Sequence, residues 1–492
     1  MAGTATLITF IIYLIFLLTV GLYFYKRTSN IEDYLLGGRG MGKWVTALSA
    51  QASDMSGWLL MGLPGAVFLY GINQSWIAIG LFIGTVLNWV LVAPRLRVYT
   101  EKTKSLTMAS FLESRFKDPT GLLRIICAII TLIFFAIYAS SGMAGAGKLF
   151  EAMFGLNYSL AVIIGCIVIV LYTMLGGFMA VCWTDLFQGA LMFVSILIVP
   201  LFALTGIGGF EGINTAIITK GISTSLIPGA GVGAVLGIIS TMAWGLGYFG
   251  QPHILVRFMS IKDIKEIPRS TTIAVVWVFI SLAGAIMVGL IGTAMYATPP
   301  GGDAEKVFIY MIGDIFNPWI GGILLAAILS AIMSTIDSQL LVSSSALTED
   351  FYQKIIKKDA SENELILIGR LSVIIISVIA MLMALKPDNT ILGLVSYAWG
   401  GFGAAFGPVI LMSLFSKKTG WKSALAGMVT GAVVCVLWKQ IGLGSVMYEI
   451  VPGFIANFIV MLIVNVFVKQ EDIEMNTLFD EMKEEVQTGL KG

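Results

Sequence analysis

The stretch TALSAQASDMSGWLLMGLPGA, residues 46–66, decides the fold. It lies inside a hydrophobic segment long enough to cross a bilayer, yet it is a poor membrane helix. Ser49, Ser53 and Ser56 follow Thr46, a carboxylate sits at Asp54, and Gly57, Gly62, Pro64 and Gly65 come after it. A charge at membrane depth costs about 3 kcal/mol or more, so an intramembrane Asp marks function by default. Glycine and proline beside it weaken the helical ladder. Backbone freed in this way is tolerated only where it is buried in protein or lines a cavity. The stretch reads as an interrupted span built around a polar site. The competing reading is a kinked helix whose Asp54 pairs with a basic neighbour.

The chain around it has 492 residues, 57% hydrophobic and 12% charged. Soluble domains carry about 25% charged residues, so the composition and a mean hydropathy of +0.91 describe an all-α polytopic membrane protein whose partner is the lipid bilayer. A net charge of +1 gives no sign of nucleic acid as a partner. Cys127, Cys166, Cys182 and Cys435 fall in apolar stretches without a CxxC pair and read as buried thiols. With one histidine, His253, a His-based metal site has no ligands to draw on. The first apolar run lacks a basic leader and a small-residue cleavage site, so it reads as a retained helix.

Runs of about 20 apolar residues, the length that spans a bilayer, fit the chain thirteen times. Approximate limits are 6–25, 44–70, 75–95, 124–150, 159–180, 183–206, 232–256, 271–297, 318–347, 364–385, 390–415, 422–439 and 449–468. Lys148, Lys220, Lys306, Lys386 and Lys439 fall in one set of loops and flanks, and the other 25 of the 30 basic residues, from Lys26 and Arg27 to Lys469 and Lys491, in the other. The positive-inside rule then predicts a multi-pass plasma (inner) membrane protein with its N-terminus outside and its C-terminus cytoplasmic. The acidic tail after Val468 is too short for a nucleotide-binding domain, and no GxxxxGK[ST] occurs, so ATP is not the expected energy source.

Five spans beyond the first broken one, the segment STMAWGLGYFGQP is interrupted again at Gly245, Gly247, Gly250 and Pro252. Two Gly/Pro-broken segments at corresponding positions are the sequence signature of a midplane site in a transporter built from repeats, and an odd number of spans per repeat inverts them. Glycine is abundant here, 55 residues, so chance is the competing account. The ninth span carries AAILSAIMSTIDSQLLVSSSA, residues 326–346, with Ser330, Ser334 and Ser338 on one helix face and Thr335 beside them. An isolated hydroxyl of this kind returns its hydrogen bond to its own helix. Ser334 and Thr335 beside unwound backbone are also a source of oxygens for a hard monovalent cation. In GGFMAVCWTDLFQG (176–189), Asp185 reads as a coupling carboxylate or as the N-cap of the sixth span, its position favouring the cap. Arg39, in YLLGGRG, sits before the broken span, placed to attract an Asp or to guard an inner gate. His253 and Lys148 read as interfacial.

With DYLLGGR (33–39), ALSAQASDMSGWLLMGLPGAVF (47–68), AWGLGYFGQPHILVRFM (243–259) and AIMSTIDSQLL (331–341), these segments resemble the sodium/solute symporter family over nearly the whole chain. The resemblance implies the leucine-transporter-type fold, with two inverted five-helix repeats. By that match an N-terminal helix and loop (1–43) precede a first repeat (44–206), a connection (207–231) and a second repeat (232–415). Two further helices (416–468) and the tail (469–492) follow. It also implies Na+ as the co-transported ion, with no organic cofactor, held by Ala52, Met55, Ala331, Ser334 and Thr335. Asp54 matches a carboxylate needed for coupling, with Asp185 and Arg39 as further coupling positions. Ser56, Gly57, Trp58, Tyr138, Trp244 and Tyr248 are the implied solute site.

Chemistry narrows the solute to a small zwitterion. Half-helix N-termini favour a carboxylate and aromatic faces suit a cationic nitrogen. No Lys or Arg in the broken segments would receive a second acid, and only Gln51 and Gln251 stand near the breaks to meet a sugar. The resemblance, more than this chemistry, puts L-proline ahead of betaine, another amino acid or a vitamin. The rival class is an intramembrane hydrolase on Asp54 and Asp185, which requires the two acids to share one site. No enzymatic activity is expected.

Overall fold

The computed structural model describes residues 3–25, 30–227, 229–386, 390–468 and 472–490; Lys26, Arg27, Lys469 and Lys491 lie outside the described residues. Helices fill these segments, and the only bridge among the described residues pairs Met41 with Ile261. Eleven helices are long and apolar enough to cross a membrane. The broken second span and the shorter apolar segment Tyr158–Leu171 complete the expected thirteen. The four cysteines are buried and free.

The fifth and sixth spans, expected as separate helices, follow one another without a loop over Tyr158–Gly206, and the backbone leaves helical geometry between them at Gly177 (φ 61°, ψ −178°). A side chain is disfavoured at that φ, and a Cβ there would meet the Tyr34 ring at 3.0 Å. Residues 178–189 continue as helix, so Asp185 lies inside the sixth span, fully buried. The N-cap reading of Asp185 is corrected: the turn comes at the glycine, two helical turns earlier.

The second span runs as Lys43–Asp54, bends at Met55 (φ −79°, ψ 71°) and resumes as a π-helical turn, Trp58–Gly62, and a helix, Leu63–Tyr70. In the seventh span, Val232–Met242 tightens into a 3-10 segment, Ala243–Gly250, opens at Gln251 (φ −86°, ψ 106°) and restarts as Pro252–Ser260. Proline suits a first helical turn, where no N–H partner is needed. The glycines before it permit backbone contact. A Cβ at Gly245 would come within 2.2 Å of the Gly80 carbonyl oxygen in the third span.

Burial sorts the spans. The most apolar windows of the ninth span (Pro318–Ser345, continued by a π-helical stretch, Ala346–Ile356) and of the eleventh (Ile391–Phe415) are 83% buried, those of the first and thirteenth only 22%. The ninth and eleventh spans therefore lie in the core, and the first and thirteenth at its periphery.

The connection after the eighth span and the C-terminal tail are both ordered by charge. In the connection after the eighth span, Lys148 reaches Asp303 (2.8 Å) and Glu305 (2.6 Å). Glu305 accepts from the N–H groups of Ile391 and Leu392 (2.9 and 3.0 Å), capping the eleventh span. Lys148 is thus buried and paired, correcting its reading as interfacial. The tail forms a helix, Ile473–Gly489, whose Met475, Phe479, Met482 and Val486 are buried. Lys102 pairs with Glu481 and Glu485 (both 3.2 Å), Lys117 with Asp472 (3.1 Å) and Lys417 with Asp480 (2.5 Å). The Met475 N–H at the helix start, with Lys117 beside it, holds the Asp472 carboxyl below the usual carboxylate range.

Candidate functional site

The bend at Met55 stops the second span's helix against the ninth. There Ser334 Oγ donates to the Ala52 carbonyl at 2.8 Å, and Thr335 Oγ1 reaches the same oxygen at 3.4 Å. The Ala331 carbonyl lies 3.3 Å from Ser334 Oγ and 3.2 Å from Thr335 Oγ1. Two carbonyls and two hydroxyls from two elements thus converge in a group excluded from solvent. Neutral oxygens of this kind suit a hard monovalent cation, and rotating the two hydroxyls turns their lone pairs toward one. The sequence-predicted residues Ala52, Ala331, Ser334 and Thr335 meet here. Met55 contributes the bend.

Asp54, one residue before the bend, points elsewhere. The Tyr248 hydroxyl donates to Asp54 Oδ2 at 2.5 Å, while Trp58 Nε1 (3.1 Å) and the Tyr138 hydroxyl (3.4 Å) both donate to the Asp54 carbonyl. One residue therefore gathers three aromatics from three spans. Trp244 packs 6.2 Å from Trp58, and Trp399 stacks on it at 6.5 Å, donating its Nε1–H to the Trp244 carbonyl at 2.7 Å. All of these side chains are buried. Asp54 Oδ1, Gln51 Oε1, Gln251 Oε1 and both His253 nitrogens are buried without partners among the described residues. A buried polar atom without a partner is costly, so each of these atoms has hydrogen-bonding capacity left to offer. His253 is fully buried beside Phe135 and Tyr138, which corrects its reading as interfacial.

The break itself is less open than expected. Ser56 N–H donates to the Asp54 carbonyl at 2.9 Å, and the Trp58 N–H meets Ser56 Oγ at 3.3 Å. Gly57 faces Ile332 and Ile391. A cavity of about 600 Å³ at the end opposite the basic one is lined by Trp244, Tyr448 and Glu305. Another, of about 650 Å³, opens at the basic end between Asn30, Arg39, Glu101 and Lys104.

Arg39 has a left-handed backbone (φ 50°). Its guanidinium donates to the carbonyls of Met259 (2.9 Å), Ser105 (2.6 Å) and Thr100 (3.1 Å). It joins the ends of the third and seventh spans rather than attracting Asp54. Asp185 lies deeper. Ser49 Oγ donates to its Oδ2 at 2.6 Å, and Arg257 reaches the same oxygen at 3.3 Å and Ser338 Oγ at 2.5 Å. Arg257 and Asp337, both fully buried, escaped the sequence reading. The signal was present: each is a charge inside an apolar run, the feature that singled out Asp54. Asp54 and Asp185 make no contact and serve different neighbours, so the geometry a two-carboxylate hydrolase requires is lacking.

Residues 34–431 match the profile of the Sodium:solute symporter family. The chain is 46% identical to the sodium/proline symporter of Salmonella typhimurium, over 97% of this chain and 96% of that one. It is 47% identical to the high-affinity proline transporter of Bacillus subtilis, over 95% and 99%. Among solved structures, a Na+-coupled sialic acid symporter in a substrate-bound outward-open state superposes with a TM-score of 0.82 at 20% identity, covering 96% of this chain and all of that one. MhsT in complex with L-phenylalanine superposes with a TM-score of 0.55 at 13% identity, covering 87% of this chain and 98% of that one. These likenesses establish the leucine-transporter-type fold.

Proposed function

The chain belongs to the sodium:solute symporter family, and from that membership we propose that it carries L-proline into the cell, driven by sodium entry, through alternating access of two inverted repeats at 44–206 and 232–415. Relatives named for proline transport match it over nearly their whole length. Their identity supports proline ahead of betaine, other amino acids, vitamins or sugars, and transport rather than catalysis.

The observation that carries the mechanism is that one break has a group of oxygens on one side and a group of aromatic side chains on the other. On one side of Met55 the Ala52 carbonyl meets the Ser334 and Thr335 hydroxyls; on the other, Asp54 holds Tyr248, Tyr138 and Trp58. In this reading a sodium ion at Ala52, Met55, Ala331, Ser334 and Thr335 fixes the bend. The fixed bend presents Asp54 and the aromatic group to the solute. The unpartnered Oδ1 of Asp54 is the anionic partner for the solute's cationic nitrogen, Trp58, Trp244, Tyr138 and Tyr248 surround its ring, and the Ser56–Gly57 turn faces its carboxylate. Because coupling between two ligands is reciprocal, each then tightens the other. Asp185, held to Arg257 and Ser49, and Arg39, across the basic end, would steady the inner side while the outer opens.

We place the N-terminus outside and the C-terminus in the cytoplasm, since the end rich in Arg and Lys faces inward. The test is uptake of labelled proline into proteoliposomes under a sodium gradient. Ser334→Ala and Thr335→Ala should each raise the half-saturating sodium concentration far more than they change the amount of protein reconstituted. Unchanged sodium dependence in both would mean that the hydroxyls bond only their own helix and the Ala52 carbonyl.

A further inference from the structure

The first span stands outside both repeats, yet one of its side chains reaches the seam that holds the cation group. Its register on the ninth span is fixed by close contact. Thr6 Oγ1 donates to the Pro318 carbonyl at 3.1 Å, and a Cβ at Gly322 would come within 2.0 Å of Thr9 Oγ1. Phe10 wedges against Phe150 and Phe154 of the fourth span. One turn further along, the Tyr13 hydroxyl lies 2.7 Å from Ser330 Oγ of the ninth span, and Gln188 Nε2 of the sixth donates to it at 3.1 Å. Ser330 Oγ is the donor to the Tyr13 hydroxyl and also lies 2.8 Å from the Ala326 carbonyl, so its proton is shared between the two.

These two partners are not arbitrary positions. Ser330 is one turn from Ser334 on the same helix face, and Gln188 is one turn from Asp185. Both are fully buried, and Gln188 Oε1 has no partner among the described residues. The sixth and ninth spans therefore meet along a polar seam. Tyr13 closes its upper rung, the Ala52–Ser334–Thr335 oxygens lie beside the middle, and Asp185, Arg257 and Ser338 form the lower rung.

We propose that Tyr13 is a positioning residue for sodium: its hydroxyl bridges Gln188 and Ser330, fixing how far the ninth span's hydroxyls stand from the Ala52 carbonyl. This rests on the reading of Ser334 and Thr335 as sodium ligands. Without the bridge the ninth span relaxes along the seam, and ligands that must converge within a few tenths of an ångström are held less well. The solute's aromatic group lies on the far side of the bend and keeps its own geometry.

The experiment measures proline uptake against sodium concentration for Tyr13→Phe, which keeps the ring and its packing, with Ser330→Ala removing the same bond from the other partner and Ser334→Ala as the ligand control. Half-saturating sodium is expected to rise about three- to tenfold in Tyr13→Phe, the worth of one neutral hydrogen bond. The proline KM at saturating sodium and the amount of protein in the membrane should not change. Ser330→Ala should match it, and the double variant should be no worse than either single, because both remove one shared bond. If Ser334→Ala shifts the sodium dependence and Tyr13→Phe does not, the proposal fails and the cation site stands. If neither shifts it, both fail. A Tyr13→Phe protein reduced in amount but unchanged in sodium dependence also overturns it, since the bridge would then serve folding alone.

Discussion

Asp54 uses its backbone carbonyl to hold Trp58 and Tyr138 and its side chain to hold Tyr248. In the proposed reading, the residue next to the cation oxygens thus also organises the solute site. Asp54→Asn should abolish most uptake at any sodium concentration, because it leaves a neutral amide where a negative charge accepts from Tyr248 and, in the proposed reading, meets a cationic nitrogen. Tyr248→Phe, which keeps the ring and loses the hydroxyl, should raise the proline KM about tenfold or more, as expected for a hydrogen bond to a charged group. Trp244→Ala removes a ring face and should raise it about twofold to thirtyfold, the range of a cation–π contact. Each is checked by uptake kinetics normalised to protein in the membrane. At this scale the sequence reading named, by type and position, residues that the structure brings together at the bend: Ala52, Ala331, Ser334 and Thr335. It missed Tyr13 and Trp399, whose partners lie far along the chain, 317 residues away at Ser330 and 155 away at Trp244, and it passed over Arg257 and Asp337 although each is a charge inside an apolar run.

The helices themselves were more legible. Apolar length set the span limits to within a few residues, because a bilayer leaves few alternatives to a helix about 20 residues long. Both interruptions were visible as clustered glycine and proline. The direction of Asp185 was not visible, since only the left-handed turn at Gly177 puts the acid inside a helix instead of at its start. The amphipathic tail helix was within reach, as Met475, Phe479, Met482 and Val486 recur at helical spacing. Backbone contact between the third and seventh spans yields a prediction of its own. Gly245→Val would press a side chain on the Gly80 carbonyl, backbone that cannot move aside, at a cost of about 1–3 kcal/mol or more. Detergent-extracted, monodisperse protein should fall well below half of wild type by size-exclusion chromatography. Gly206→Val, where a Cβ meets nothing within 4 Å, should leave it unchanged.

Across the whole molecule, charge asymmetry and coupling are the two claims that no single helix carries. The first is open to labelling of single cysteines in a background lacking Cys127, Cys166, Cys182 and Cys435. Lys220 and Lys357 are exposed and suit the purpose better than Lys306, which is drawn in by Glu151 at 2.7 Å. A cysteine at 220 should react with an impermeant reagent from outside and one at 357 only after permeabilisation; reaction of both from one side would overturn the thirteen-span arrangement. The second claim is that one bend serves ion and solute together. Equilibrium binding of labelled L-proline to the purified protein, titrated at rising sodium with choline as the replacement cation, addresses it most directly. The account predicts a proline Kd that falls steeply with sodium in the wild type, and a curve displaced to higher sodium in Ser334→Ala that reaches the same limiting Kd. A proline Kd that does not depend on sodium would contradict it.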